Sequence, residues 1–309
     1  MSKPTFSVII PLYNKECEIE GTIRSVLSQT RLPDEIVVVD DGSTDRSAGI
    51  VRQIGSPLVR LIRQSNAGEC AARNRAIAEA RGEYLALIDA DDEWEPGFLA
   101  EIEAMIGEFP GCGLYCTGFS VVSHDGLFPA RGLDRRGVVG NFFRDSAHRY
   151  IAIPSASCIP REVIDTVGGF PEGMKMAGDL YMWIKIARRY RVCYSPERLA
   201  RYSKVASNRS ATSYTPERTA YSFEELYDPA APKEEREFIA RAALGKALIQ
   251  SVKGGTEEAR RAARFFGWTR VYRRTLRKVR LLNRLPVRWR GPLLDLYNAA
   301  AWRLARKGL

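Results

Sequence analysis

Three apolar runs in the first third of the chain are continuous, and that property limits the folds open to it. They are Phe6–Pro11 (FSVIIP), Glu35–Asp40 (EIVVVD) and the Leu85–Ile88 core of GEYLALIDADD. A strand with one face in water alternates apolar and polar residues, whereas a strand buried on both faces does not need to. Helical spacing separates the runs. Glu18–Gln29 places Ile19, Ile23, Val26 and Leu27 on one face, Arg46–Ile54 repeats the pattern, and Asn66–Ala80 begins with Asn-Ala-Gly and continues as an Ala-rich helix. Leu58–Arg63 reads as a further strand. Strands and helices alternating at this spacing build βαβ units and a mostly parallel sheet.

The pattern changes after about Pro110. Gly113–Val122 and Ser155–Ile159 read as strands, Glu162–Val167 as a short helix closed by Gly168 and Gly169, and Val192–Tyr202 as extended chain. Phe128–Tyr150, rich in Arg, Gly and Asp, reads as a loop region near a cleft. Asp179–Tyr190 is an amphipathic helix with Leu180, Trp183, Ile184 and Ala187 on one face. Beyond Pro216 the chain reads as helices: Lys233–Val252, Thr256–Leu282 whole or broken, and a last one near Leu293–Ala305 after interruption by Pro286 and Pro292.

Length and composition narrow the function. A chain of 309 residues is one large domain, or one with an appendage. No stretch approaches the ~20 apolar residues of a membrane span, and MSKPTFSVII lacks a cleavable leader pattern, which predicts a cytoplasmic protein. Six scattered cysteines form no metal-ligand doublets and read as reduced thiols. With only His124 and His148 available, carboxylates must carry most acid–base work. The net charge of +10 is uneven: residues 259–309 carry fifteen Arg or Lys and one acid, Asp295, leaving −4 for residues 1–258.

Carboxylates gather where strands end. Asp40 and Asp41 close the second run, and Asp89, Asp91 and Asp92 close GEYLALIDADD. Parallel strands bring their C-terminal ends to one edge, where ligands of open α/β sheets bind. Bunched negative charge is relieved by a hard divalent cation sharing oxygen ligands with a diphosphate. The alternative is a solvated acidic turn in which Asp92 or Glu93 caps the next helix. The chain has no GxGxxG after the first strand and no GxxxxGK[ST], which argues against a dinucleotide oxidoreductase and a P-loop enzyme.

The blocks SVIIPLYNKECEIEGTIRSVLSQT, EIVVVDDGSTD, NAGECAARNRAI and GEYLALIDADD, the last followed by Trp94 and Pro96, resemble family 2 glycosyltransferases of the GT-A fold. They occur in that family's order over roughly residues 5–100, and VGGF with MAGDLYMWIKIA extends the resemblance to about residue 190. It implies an α/β, Rossmann-like, mostly parallel sheet flanked by helices, with a C-terminal helical appendage. The catalytic domain would cover residues 1–224, its nucleotide-binding half about 1–110 and its acceptor half about 111–224, with a basic helical appendage at 225–309.

The resemblance also implies residue roles. Asp41 would accept the imide N–H of a uracil or thymine, flanked by Pro11, Leu12 and Tyr13, while Asp40 orients the loop. Tyr13 would stack on the base or be a half-buried core tyrosine. Arg73 would lie beside the nucleotide or pair only with strand-end carboxylates. Asp89 and Asp91 match the family's DxD motif: Asp91 would bind Mg2+ or Mn2+, Asp89 would contact the ribose or the metal's water shell, and Asp92 would support. Asp179 would be the catalytic base, a helix N-cap, or both. The family usually has Glu-Asp here, and this chain has Gly178-Asp179. Trp183 would floor an acceptor sugar or sit in the core.

The implied activity is an inverting, metal-dependent single displacement. It moves a sugar from a UDP- or dTDP-sugar to a hydroxyl of a glycan or lipid-linked acceptor. A nucleotidyltransferase would need a Gly-rich basic loop that PLYNKE does not supply. The remaining alternative is a non-catalytic nucleotide-sugar-binding or membrane scaffolding protein on a degenerate GT-A fold. Residues 259–309 interleave Arg with Phe265, Phe266, Trp268, Val271 and Tyr272. They predict either docking to an anionic membrane surface or packing on the catalytic domain. No nucleic-acid recognition module is apparent, so nucleic acid is not an expected partner.

Overall fold

The computed structural model describes residues 3–207 and 219–306. The chain divides into two compact units, Met1–Ser213 and Tyr214–Leu309, beside the division at 224/225 read from composition.

The first unit is built on one sheet. Its opening half runs β1 (Phe6–Leu12), α1 (Ile19–Leu27), β2 (Glu35–Asp40), α2 (Ser47–Gln53), β3 (Val59–Arg63), α3 (Glu69–Glu79) and β4 (Tyr84–Leu87). After β5 (Glu93–Trp94) and α4 (Phe98–Glu108) come β6 (Cys112–Ser123), β7 (Gly126–Pro129), β8 (Gly137–Val138) and α5 (Phe142–Asp145). A single 3-10 turn at Pro154–Ala156 leads into β9 (Ser157–Pro160), then α6 (Arg161–Val167), α7 (Gly178–Ala187) and β10 (Arg191–Ser203). The strand order is β3-β2-β1-β4-β9-β6-β10-β5. Strands β1 to β4 pair in parallel, β9 runs antiparallel between β4 and β6, and β10 is parallel to β6. This is the mostly parallel α/β sheet that the continuous apolar runs require.

Every residue of β1 is buried, as are Ile36 to Asp40 of β2. One face of β1 (Phe6, Val8, Ile10, Leu12) shares a core with Ile19, Ile23 and Val26 of α1 and Phe98 and Leu99 of α4. Helix α3 packs across β1 and β2. Close approach fixes one glycine: a Cβ on Gly82 would lie 2.6 Å from the Ser7 backbone nitrogen, and Gly82 N–H itself donates to Ser7 Oγ at 2.8 Å. None of the six cysteines is in a disulfide, and five are buried.

Helix α3 starts at Glu69, directly after Asn66-Ala67-Gly68, because Gly68 has φ 93° and the Ala67 and Gly68 N–H groups turn to a carboxylate. Two local readings are corrected. The supposed loop Phe128–Tyr150 carries the end of β7, all of β8 and α5. These pieces form through edge pairing with β6 and β10 and through Asn141, whose Oδ1 accepts Arg144 N–H at 3.0 Å. None of that needs an apolar run. Pro292 does not interrupt the last helix, which spans Val287–Arg306 with Pro292 inside it.

The second unit is helical: α8 (Lys233–Lys253), α9 (Thr256–Phe265), α10 (Arg273–Leu282) and α11 (Val287–Arg306). Phe238, Ile239 and Leu244 of α8 meet Ala259, Ala262 and Ala263 of α9 and Leu276, Val279 and Leu282 of α10 in a buried layer. The basic stretch thus has an apolar face used inside its own unit. Tyr227, Phe265, Phe266 and Trp268 form an aromatic cluster with centroids 4.9–6.4 Å apart. No helix among the described residues is long and apolar enough to cross a membrane.

Candidate functional site

The order β3-β2-β1-β4 reverses direction between β1 and β4. A crevice opens at such a switch point, beyond the C-terminal strand ends. The loops after β1 and β2 close its floor together. Asn14 N–H donates to Ser43 Oγ at 3.0 Å, Asn14 Oδ1 accepts Thr44 N–H at 2.8 Å, and Lys15 N–H donates to Ser47 Oγ at 2.8 Å. Leu12 C=O accepts the Asp41 N–H at 2.8 Å. Asn14 takes the left-handed φ of 49° that this turn needs. Pro11 and Leu12 are buried beneath it, while Tyr13 is 39% exposed.

Asp40 and Asp41 divide the work of holding these loops. Asp40 is fully buried, accepts Ser43 N–H at 2.9 Å and pairs with Arg63 at 2.8 Å. Asp41 gathers the β3–α3 loop: Oδ1 accepts Gln64 Nε2 and Ala67 N–H at 2.8 and 2.9 Å, and Oδ2 accepts Gly68 N–H at 2.8 Å. A carboxylate oxygen accepts two hydrogen bonds, so Asp41 Oδ2 retains one position. Sequence reading did not anticipate Gln64 or this enclosure of Asp41, which is 2% exposed.

The acids after β4 each have a different partner. Asp89 takes a hydrogen bond from Arg73 Nη2 at 2.7 Å, and the same nitrogen reaches Glu69 at 2.6 Å. Arg73 is buried under the Phe170 ring, 4.9 Å from its centroid, and its Nε has no partner. Burial works against its charge, but Glu69 and then Asp89 outweigh that and raise its pKa. Burial pushes the Asp89 carboxyl up to about 7; Arg73 opposes this, and Glu69 and Asp91 add to it. Asp91 Oδ2 pairs with Lys15 Nζ at 2.7 Å, directly across the crevice from β4 to β1. Asp92 is buried and accepts from Ser155 Oγ and, at 2.8 Å, from Ser203 N–H at the end of β10. Its pKa is raised by burial and then by Asp89 and Asp91. Asp92 therefore fastens β10 to the crevice, as a supporting residue would. From there Ser207 reaches Glu18 through its N–H at 2.7 Å and offers its carbonyl to Lys15.

Lys15, Glu69 and Ser155 were not singled out from sequence. Lys15 and Asp91 are 76 positions apart, and only the β1–β4 pairing brings them together.

Asp179 enters from the other side. It lies in the first turn of α7, not at the cap: the cap position is Ala177, with φ 63°. Asn14 and Ala177 are the two non-glycine residues with positive φ among those described, and both border this crevice's candidate residues. Such strain is retained where surrounding structure imposes it. Asp179 is half-buried; burial raises its pKa, Leu180 N–H lowers it, and Glu69 and Arg73 act on it in opposite senses. It therefore belongs to the same electrostatic cluster as Asp89. Trp183 is fully buried, edge-on to Phe170 at 6.3 Å. It is a core residue, and the sugar-floor reading of it is withdrawn.

Gly178 has a packing reason. A Cβ there would lie 2.6 Å from Cys70 Sγ, so any larger residue collides with α3. Gly178→Glu is expected to destabilise the protein by about 1–3 kcal/mol through overpacking, with part recovered by adding Cys70→Ala. Urea unfolding of the single and double variants measures this, and equal losses in both would refute the contact as the cause.

Among the described residues no three His, Cys, Asp or Glu side chains form a ready metal cluster. The available donor set is Asp91, with Asp89 beside it, and an ammonium already stands against Asp91. That fits a hard cation that takes its remaining oxygens from a diphosphate and water.

Known proteins resemble this chain in sequence and in fold. The sequence model for Glycosyl transferase family 2 matches residues 7–167, just over half of the chain. The chain belongs to this family. A Bacillus subtilis protein named for glycosyl transfer in teichuronic acid biosynthesis, TuaG, is 38% identical over 128 residues, 40% of this chain and 50% of that one. The Mycobacterium tuberculosis protein MT1568 is 30% identical over 218 residues, 64% of this chain and 67% of that one. The family 2 chain thus spans about half the length of TuaG and two thirds of MT1568. Among solved structures, S. aureus TarS 1-349 in complex with UDP-GlcNAc superposes with a TM-score of 0.62 at 25% identity, covering 80% of this chain and 70% of TarS 1-349.

Proposed function

We propose that the crevice binds a UDP- or dTDP-sugar and transfers its sugar, with inversion, to a hydroxyl of a glycan or lipid-linked acceptor. The observation that carries this is the convergence of Asp179, Arg73, Asp89 and Asp91 on the β1/β4 switch point. UDP-GlcNAc in TarS 1-349 supports a uracil nucleotide, and the name of TuaG supports an envelope glycan. Tyr13 stacks on the base, over the turn formed by Pro11 and Leu12, and the free position on Asp41 Oδ2 accepts the imide N–H. Asp89, held by Arg73, faces the ribose. Asp179 removes the acceptor proton as the hydroxyl attacks the anomeric carbon from the face opposite the diphosphate. Mg2+ or Mn2+, when held by Asp91, supplies positive charge to the leaving diphosphate. The basic unit, with exposed Trp289 and Leu296, brings the enzyme to an anionic membrane surface from the cytoplasmic side. The non-catalytic alternative rested on Gly178, and the close approach of Cys70 Sγ supports a packing reason for that glycine.

A thermal-shift series of UDP-, dTDP- and GDP-sugars with Mn2+, Mg2+ or chelator tests the reading. Stabilisation near 2.7 kcal/mol is expected when ligand reaches about a hundred times its Kd, for a uracil or thymine nucleotide with metal. No metal-dependent stabilisation by either base would count against it. Lys15 adds a sharper test, because its ammonium competes with any cation for Asp91. Lys15→Met is expected to tighten Mn2+ binding by about tenfold, equivalent to ~1.4 kcal/mol, as read by Mn2+ electron paramagnetic resonance without nucleotide. Unchanged or weaker Mn2+ binding would remove Asp91 as the metal ligand.

A further inference from the structure

The second unit contains a cavity of about 210 Å3 lined by Arg260, Ala263 and Arg264 of α9 and Arg280, Asn283 and Arg284 at α10 and its end. Both sides repeat the same spacing: Arg, then a small or polar residue three positions on, then Arg at the fourth. Positions three and four apart share a helix face, so each side directs two guanidinium groups at one space. All four arginines are also exposed, so the space is an open surface pocket in which water screens their repulsion, and an anion bridging them gains from all four charges at once. Among the described residues Arg260 has a single acidic partner, the exposed Glu257 at 3.0 Å, which leaves three charges in excess. Arg260 also donates to Asn283 C=O at 3.0 Å, and Arg280 to Ala263 C=O at 3.4 Å. These bonds set the two arginines at the cavity wall and do not neutralise them.

A second observation points the same way. Asn283 is 4% exposed, and its Nδ2 has no hydrogen-bond partner. Buried amide N–H groups without partners are rare, and this one belongs to a residue that lines the pocket. Behind it, buried Arg290 donates to Ser251 C=O at 2.8 Å and Thr256 Oγ1 at 2.7 Å. Burial, and then Arg260, lower the Arg290 pKa, consistent with positive charge accumulating here. At about 210 Å3 the pocket has room for a tetrahedral oxyanion. Guanidinium forks match phosphate oxygens in pairs.

We infer that Arg260, Arg264, Arg280 and Arg284, with Asn283 among the lining residues, form a binding site for a phosphate group. The group is either the headgroup of an anionic lipid or free in solution. The site lies wholly in the second unit and does not depend on the transferase reading of the first. Exposed Phe265 and Leu281 directly follow Arg264 and Arg280, so apolar surface adjoins the site.

The full chain is tested with two probes at about 150 mM salt: inorganic phosphate by calorimetry, and phosphatidylglycerol–phosphatidylcholine vesicles by cosedimentation. Two variants remove equal charge. R264Q/R284Q empties the cavity of two guanidiniums, and R273Q/R277Q removes two exposed ones elsewhere on α10. The cavity variant is expected to weaken binding at least tenfold, and the control less than twofold. Saturable phosphate binding without vesicle binding identifies a free phosphate; vesicle binding that inorganic phosphate displaces identifies a lipid headgroup. Equal losses in the two variants, or no binding of either probe to the wild type, would overturn the inference.

Discussion

Asp179→Asn is expected to lower kcat for sugar transfer by about 10²–10⁴-fold, the usual contribution of a positioned general base, while the KM for the donor changes less than about twofold. The substitution keeps shape and removes only the proton acceptor. Stability should hold or rise slightly, because burial already disfavours the charged form of Asp179. A pH profile separates catalysis from folding. The base must be ionised to act, and its pKa lies above the ordinary carboxylate value of about 4, so wild-type kcat/KM should fall on the acid side at a pH above that value. The Asn variant should lose that limb. Near-full kcat in the variant would assign the base elsewhere.

Arg73→Met should have the largest effect on stability. Arg73 is 1% exposed and is the cation beside Asp89. Removing one member of a buried pair costs about 3–5 kcal/mol, and the lower end applies because Asp89 retains 26% exposure. The sign with pH follows from Asp89, whose pKa in the folded protein is raised to about 7. A carboxyl raised in this way favours the folded state below its unfolded pKa, and that contribution is lost as pH rises through the folded value. Without Arg73 the folded value moves higher still. The variant's deficit should therefore be small below pH 6 and grow above pH 7 toward about 3 kcal/mol. Urea unfolding at several pH values checks this, and a deficit independent of pH would remove Asp89 as its source. Donor binding should weaken in parallel.

Much of the fold could be read directly. The runs FSVIIP and EIVVVD became β1 and β2 because a strand covered on both faces leaves an unbroken apolar signature. Residues 126–145 were harder: β7, β8 and α5 are short and largely exposed or half-buried, and edge pairing and one Asn cap hold them. Asp89, Asp91 and Asp179 could be named from their blocks. Their partners could not, since Lys15, Glu69, Ser155 and Cys70 carry no pattern that marks them. Trp183 illustrates the opposite limit, where helical spacing left core and acceptor surface open until its burial was known.

By itself, the sequence determined the parallel sheet, the order of its acidic strand ends and the concentration of positive charge after residue 258. These are properties of local periodicity and composition, which survive in one dimension. Tertiary structure alone decided that Asp91 meets an ammonium, that Asp41 is enclosed by the β3–α3 loop, that Gly178 yields to a cysteine, and that four arginines of α9, α10 and the turn after α10 line one pocket. Each is a contact between segments whose separation along the chain carries no signal. Distance between side chains, and with it charge and burial, is set only when the strands and helices pack.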